Sequence, residues 1–433
     1  MKKYSSEEIY GCFLLYPSIS TDSRKIEKDC LFFALKGENF NGNEYAVKAL
    51  ENGAAYSIVD EEEFAVNEKC LLVENVLECL QQIAVIHRLN LKIPVIGITG
   101  SNGKTTTKEL INVVLSSAYK VIATAGNLNN HIGVPLTVLG ITADTEIGII
   151  EMGANHQGEI AFLSKIAMPD FGIITNIGKA HLGEFGGYEG VIKTKNELYQ
   201  HLRSTHGTAF VNVEDLLLMQ LSEKLNRIGY GNQHKGINVN AGGEVLQSNP
   251  LLMIRINGKE RVLNTQLVGT YNLPNVLAAF SIGRFFGVAD EKIFSAIEQY
   301  KPSNNRSQWV ETGKNHLILD AYNANPSSLE AALNNFSKID TKPKVVIIGG
   351  MKELGHESDA EHQRIFELAV SLDFDRIILV GNEFSETKKS DSVQYFADSD
   401  KLKEYLTLNP VSGASILVKG SRGIKLEKIV ELL

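Results

Sequence analysis

The sequence predicts an α/β protein of three domains: a small mixed domain over residues 1–92, a larger one on a parallel sheet over 93–302, and a second, smaller parallel-sheet domain over 303–433. Three observations carry that reading. From Ile93 onward, almost wholly apolar runs ("IPVIGIT", "EIGIIEMG", "DFGIITNIG") alternate with helical patterns. Such runs are strands buried on both faces, as in a parallel sheet covered by helices. Four more runs, "HLILDAY", "KPKVVIIGG", "FDRIILVG" and "ASILVKGSRG", follow the polar, turn-rich stretch "KPSNNRSQ" at 301–308, which reads as a linker. Finally, 433 residues exceed what one hydrophobic core usually serves.

The first domain mixes short apolar runs, "CLFFALKG" and "AAYSIVD", with turn signals at Asn41-Gly42 and Asn52-Gly53. It closes on "VLECLQQIAVIHRL", whose apolar positions recur at helical spacing. Glu61–Glu63 reads as a solvated turn. Within the second domain, "LLMIRINGKERVLNTQLVG" predicts a hairpin around Asn257-Gly258, followed by helices between Tyr271 and Tyr300.

Composition narrows the function. Hydrophobic content of 43% and charge of 22% are ordinary for a soluble globular chain. A net charge of −8 argues against a general nucleic-acid binder, although a local basic pocket is compatible with it. No apolar run approaches the roughly 20 residues of a membrane helix. The N-terminus lacks an apolar core with a small-residue cleavage site. Cys12, Cys30, Cys70 and Cys79 form neither a Cys-x-x-Cys pair nor a zinc spacing, so reduced thiols in a cytoplasmic protein are expected.

"VIGITGSNGKTTTKEL" (95–110) runs from strand through a glycine loop into a helix. A phosphate loop needs glycines that let amides curl around an anion, a Lys for the outer phosphates, and a hydroxyl for Mg²⁺ at the helix start. Gly100, Ser101, Asn102, Gly103, Lys104, Thr105 and Thr106 supply these. The usual first glycine is replaced by Ile98, so the loop is a short variant. A guanine-reading Asn-Lys-x-Asp is absent, as no Asn-Lys pair occurs. The run "IGIIEMG" ends in Glu151, where an acidic Mg²⁺ ligand of an ATP site is expected.

The short loop TGSNGKT is similar to that of the Mur ligase family, and further segments agree in order. "TDSRK" (21–25) with "LFFALKGENFNG" (31–42) resembles the UDP-recognition region. "TAGNLNNHIGVPLT" (124–137) and "EMGANHQGEI" (151–160) resemble the branch of the family that adds a D-alanyl-D-alanine dipeptide. "AHLGEFG", "KTKNELY", "GTYNLPNVLAA", "DAYNANPSSL", "GGMKELGHES" and "VKGSRG" follow over essentially the whole chain. The resemblance implies an N-terminal UDP-binding domain, a central P-loop ATPase domain and a C-terminal Rossmann-like domain. It also implies ATP-dependent joining of D-Ala-D-Ala to a UDP-N-acetylmuramoyl-tripeptide, with ADP and phosphate released. A cytoplasmic monomer without nucleic-acid partner or membrane span is expected.

The implied chemistry brings three anions together and so requires fixed positive charge. Lys104 and Mg²⁺ would supply it, with Thr105 and Glu151 as metal ligands. The resemblance adds a second Mg²⁺ with His181 as a ligand, just past the strand "FGIITNIG" at the sheet edge where ligands bind. It further implies that Lys195, in "KNELY", is carbamylated and supports that ion; from sequence physics alone Lys195 is an exposed helix lysine. Asn272 and Asn275 offer amides that both donate to and accept from adenine. Tyr271 stands where the family usually has His. Asp320 would take the ribose hydroxyls, and Arg306 would reach the γ-phosphate on domain closure. Tyr322, Asn323, Asn325 and Ser327 would face the dipeptide, although simple capping by Asn and Ser competes for the last three. Lys419, Ser421 and Arg422 would pair with a substrate carboxylate. Asp22, Ser23, Arg24 and Lys36 are candidates for the UDP moiety, and Asn129, Asn130 and His131 for the muramoyl side. The rivals are a sister ligase adding a single amino acid and a non-catalytic nucleotide switch.

Overall fold

The computed structural model describes residues 2–433 apart from His181, Gln233, Asn304, Lys389 and Asp391. At the N-terminal end, Ile19–Ser20, Leu31–Phe33, Tyr56–Val59 and Cys70–Leu72 form a parallel sheet in that order. The helix Val76–Asn90 follows. Asn75 starts it by accepting the Glu78 N–H at 2.9 Å, which satisfies an amide that a helix start leaves unpaired. Its buried stripe of Val76, Leu80, Ile83 and Ala84 lies against the helices Gly133–Leu139 and Glu159–Ala167 of the central domain. This helix is therefore the joint between first and second domains. Near its end the buried Arg88 donates to the carbonyls of Ala167 and Met168 and to Asp170, each at 2.9 Å. Asp170 also accepts the N–H of Val95 at 2.9 Å, the first residue of the central strand.

The central sheet has seven parallel strands, in the order Asn238–Ala241, Asn226–Tyr230, Thr208–Asn212, Phe171–Ile174, Val95–Thr99, Ile147–Glu151, Val121–Ala123. The three apolar runs of the sequence are adjacent at its middle, and Val95–Thr99 and Ile147–Glu151 are buried at every residue. The outer strands carry little sequence signal, since NRIGY and NVNA have neither an apolar run nor a clean alternation. The expected hairpin is present: Leu251–Ile256 and Val262–Val268 pair antiparallel, and Gly243–Gln247 adds a third strand. The helices Leu273–Phe285 and Asp290–Gln299 come next, the first packed on the helix that follows the phosphate loop.

The C-terminal sheet runs Gln308–Glu311, His316–Asp320, Ser415–Lys419, Lys344–Gly349, Arg376–Val380, Val393–Phe396, parallel except for its first strand. One continuous apolar core links Ile9 and Leu80 through Val134 and Ile150 to Leu329 and Ile348, so all three domains share it. Among the described residues, no helix is long and apolar enough to cross a membrane. All four cysteines are free thiols.

Arg88→Ala removes the donor to two carbonyls at the joint. It is expected to lower stability by about 2–4 kcal/mol, read as a fall in the urea midpoint.

Candidate active site

Ligands of open α/β sheets bind beyond the carboxyl ends of the strands. Here the carboxyl ends of two sheets face each other across a cavity of about 720 Å³. The central sheet contributes the loop after Thr99, Glu151 and Asn176. The C-terminal domain contributes Arg306, the strand-end residues Asp320 and Lys419, and, just past the first of those strands, Tyr322 and Asn323.

The loop is a phosphate cradle in shape. Gly103 sits at φ 77°, and a Cβ there would lie 2.8 Å from Asn275 Oδ1, so only glycine lets the amides curl this closely. The helix Lys104–Ser116 starts at Gly103 without a side-chain cap, leaving its first amides and Thr106 turned to the cavity. Lys104 Nζ donates to the carbonyls of Gly100 (2.7 Å) and Ser101 (3.2 Å). Burial lowers its pKa, Glu151 opposes that shift, and Arg306 adds to it.

Glu151, 1% exposed, is the anion under the loop. One carboxylate oxygen accepts from Thr105 Oγ1 (3.2 Å) and Asn129 Nδ2 (2.8 Å). The other has no hydrogen-bond partner and lies 3.8 Å from the ammonium of Lys108. Lys108 escaped the sequence reading. Its signal was its place one helical turn after Lys104, on the same face. Burial lowers its pKa as well, and Glu151 again opposes.

Lys195 is not the exposed helix lysine that its sequence suggests. It is 2% exposed, with its ammonium 5.3 Å from the centre of the Phe185 ring. Burial, with a further push from Lys104, brings its pKa down from 10.5 to about 7. The expected ligand His181 lies outside the described residues. Among the described residues, no three His, Cys, Asp or Glu side chains gather as a ready metal cage.

Asn272 and Asn275, the residues expected at adenine, are buried and already engaged. Asn275 donates to Asn272 (2.8 Å) and accepts from Thr107 (3.1 Å), while Asn272 donates to the Val268 carbonyl (2.8 Å). Tyr271 reaches Ser307 at 3.3 Å. Arg306 stacks 3.6 Å over the Tyr322 ring, whose face also lies 5.8 Å from Arg422. Lys419 is buried and donates to Asp320 (2.6 Å) and to the Asn323 carbonyl (3.4 Å). Ser421, also buried, donates to the Ala324 carbonyl at 3.4 Å and does not line the cavity. Asn325 caps the helix Pro326–Ser337 and, with Ser327, is hydrogen-bonded to Asn102 of the phosphate loop.

Family models match along the chain: the Mur ligase catalytic domain over residues 16–91, the Mur ligase middle domain over 98–283, and the Mur ligase glutamate ligase domain over 305–422. The UDP-N-acetylmuramoyl-tripeptide–D-alanyl-D-alanine ligase of Bacillus subtilis (strain 168) is 34% identical, over 95% of this chain and 92% of its own. The chain belongs to the Mur ligase family. The Escherichia coli (strain K12) ligase of the same name is 32% identical over 98% of this chain and 95% of its own. Among solved structures, MurF of Acinetobacter baumannii superposes with a TM-score of 0.83 at 31% identity, covering 95% of this chain and 92% of that one. MurF of Thermotoga maritima in complex with ADP gives 0.84 at 27%, covering 97% of each. ATP use by this Mur ligase fits that complex.

The N-terminal candidates lie apart from the cavity. Lys36, on the hairpin Lys36–Gly37/Phe40–Asn41, pairs with Asp60 and Glu61, each at 2.8 Å, so the turn at 61–63 is not simply solvated. Arg24 pairs with Asp22 at 2.8 Å, which holds that carboxyl down at about 2; Ser23 lies between them. Asn130 caps the turn at Ile132 and Gly133, and the His131 carbonyl accepts from Gln81. Both, with Asn129, line the cavity wall nearest the N-terminal domain.

Gly103→Ala is expected to weaken ADP binding at least tenfold, because the added methyl needs both a left-handed backbone and the space of Asn275. Equilibrium dialysis checks it.

Proposed function

We propose that this Mur ligase joins D-alanyl-D-alanine to UDP-N-acetylmuramoyl-tripeptide using ATP, as a cytoplasmic monomer of peptidoglycan synthesis. The observation that carries the dipeptide reading is the likeness to dipeptide-adding relatives, which runs through all three domains. UDP, ATP and the amine are divided among residues 1–92, 93–302 and 303–433.

A carboxylate resists amide formation because its leaving group would be oxide. Transfer of the γ-phosphoryl of ATP to the tripeptide carboxylate makes an acyl phosphate and ADP. The dipeptide amine then attacks the carbonyl carbon, the bond to phosphate breaks, and the amine gives up its proton. Lys104 leaves the loop carbonyls for the outer phosphates, and the free amides at 103–106 grip the rest. Arg306 adds positive charge from the opposite domain, and the closed cleft keeps water from the acyl phosphate. Asp320 accepts from the ribose, Asn272 and Asn275 sit beneath the base, and Tyr322 and Asn323 line the amine side, with Lys419, Ser421 and Arg422 behind them. Asp22, Ser23, Arg24 and Lys36 are proposed for UDP, and Asn129, Asn130 and His131 for the muramoyl peptide.

Glu151, with one oxygen on the Thr105 hydroxyl and the other free of hydrogen bonds 3.8 Å from the Lys108 ammonium, offers oxygen donors of the kind a hard cation takes. Thr105 and Glu151 would hold Mg²⁺, which would supply positive charge to the phosphates. The second Mg²⁺ would draw on Lys195 as its carbamate and on His181. An amine must be neutral to take up CO₂, and the low pKa of Lys195 provides that at physiological pH.

Phosphate release should require both D-Ala-D-Ala and the UDP-tripeptide, and Lys104→Ala should lower it by roughly a hundredfold or more. Turnover supported by free lysine or glutamate in place of the dipeptide would move the chain to a sister activity. Lys195 is protonated below its pKa and neutral above it, so incorporation of ¹³C-labelled CO₂, followed by carbon NMR, should rise as pH passes about 7. Lys195→Ala should lose that signal and most turnover, with partial rescue by short carboxylates.

A further inference from the structure

We infer that Asn325 and Ser327 act as positioning residues that clasp the phosphate loop from the C-terminal domain, making the grip on nucleotide depend on closure. This rests on the ATP-ligase reading and deepens it. Asn102 has its polar groups divided between domains. Its backbone N–H goes to Asn176 Oδ1 (3.0 Å), and its carbonyl accepts from Thr175 Oγ1 (2.6 Å) and Asn176 Nδ2 (2.9 Å), all in the central domain. Its side chain faces the other way, with Oδ1 accepting from Asn325 Nδ2 (2.7 Å) and Nδ2 donating to Ser327 Oγ (3.1 Å).

The direction of every bond is fixed from one backbone amide. The Ser328 N–H must donate to Asn325 Oδ1 (2.9 Å), which identifies that atom as oxygen and leaves Nδ2 for Asn102. Ser327 Oγ spends its proton on the same oxygen (2.9 Å), so it can only accept from Asn102. The clasp thus uses the N-cap of a twelve-residue helix and has one consistent arrangement. Gly178 leaves room for it. A Cβ at Gly178 would lie 2.7 Å from Ser327 Oγ, and the Gly178 backbone exchanges both its bonds with Ser101 Oγ of the same loop (3.0 and 3.1 Å).

A ligand that prefers the closed state binds more weakly, in proportion, when closure is less populated. Losing the clasp should therefore loosen nucleotide by way of Asn102 and the loop that carries it.

The test is a double-mutant cycle on the full-length chain, with ADP affinity measured by calorimetry and thermal midpoints recorded alongside. Ser327→Ala should loosen ADP about fivefold in the wild-type background and not at all in Asn102→Ala. Asn325→Asp keeps the helix cap but loses the donor to Asn102, and it should loosen ADP likewise. Gly178→Ala should do so by crowding Ser327 and should add nothing once Ser327→Ala is present. Losses that multiply across the Asn102–Ser327 pair, or no loss with Ser327→Ala, overturn the clasp alone. Failure of the wild type to bind ADP overturns both the clasp and the ligase reading.

Discussion

An excess of buried positive charge around one carboxylate governs this site. Lys104, Lys108 and Lys195 all have their pKa pushed down by burial before any neighbour acts, and Glu151 is the anion that opposes the shift at the first two. Removing ammonium groups from water is unfavourable unless anions replace the lost hydration. Backbone carbonyls and this one carboxylate stand in for water at Lys104 and Lys108, while Lys195, with its pKa brought down to about 7, sheds much of its charge. Two ammonium groups facing one carboxylate leave room for a further anion, and the phosphates of ATP are the ligand proposed for it. A chain of net charge −8 can therefore hold a strongly anion-seeking pocket, because the field that matters is local and poorly screened.

The fold explains how that charge is held. Lys104 and Lys108 project from the first turns of one helix, Glu151 ends the neighbouring strand, and Lys195 lies on Tyr188–Thr205, a helix packed over the same sheet. Each is fixed by an element whose other face is core. The opposing wall is different in kind. Asp320 and Lys419 form a nearly neutral pair, while Arg306 and Arg422 are drawn to the face of Tyr322. Cationic side chains stacked on an aromatic face hold their position without neutralising their charge, and so stay available to an anion.

Much of this was legible in the sequence. The strands buried on both faces announced themselves as apolar runs, and the spacing of Gly103, Lys104 and Thr105 between strand and helix identified the loop despite Ile98. Glu151 ends an apolar run before a glycine, which set it apart from the solvent-facing Glu common at strand ends, and it is indeed buried. What the sequence concealed depends on long-range packing. The burial of Lys195 is set by Phe185 and by what covers its helix, and local periodicity has no access to that. Asn325 and Ser327 read equally well as caps or as ligand contacts. The structure shows one of them capping and both reaching Asn102, more than 220 positions earlier in the chain.

That long-range link bears on why amide synthesis should need three domains. An acyl phosphate is consumed by water if the cleft stays open, and a closed cleft cannot admit substrates. A site that must do both needs a closing contact strong enough to favour closure once nucleotide is aboard and weak enough to release. Neutral hydrogen bonds of about 1 kcal/mol each meet that condition, whereas a deeply buried ion pair would cost several kcal/mol to separate. The contacts between the two walls are of two kinds: amides and a hydroxyl meet at the phosphate loop, while the Lys179–Glu361 ion pair, one residue beyond Gly178, keeps its lysine half exposed. The contacts made by Asn102 itself are thus neutral, and the one ion pair near them keeps its lysine in reach of water.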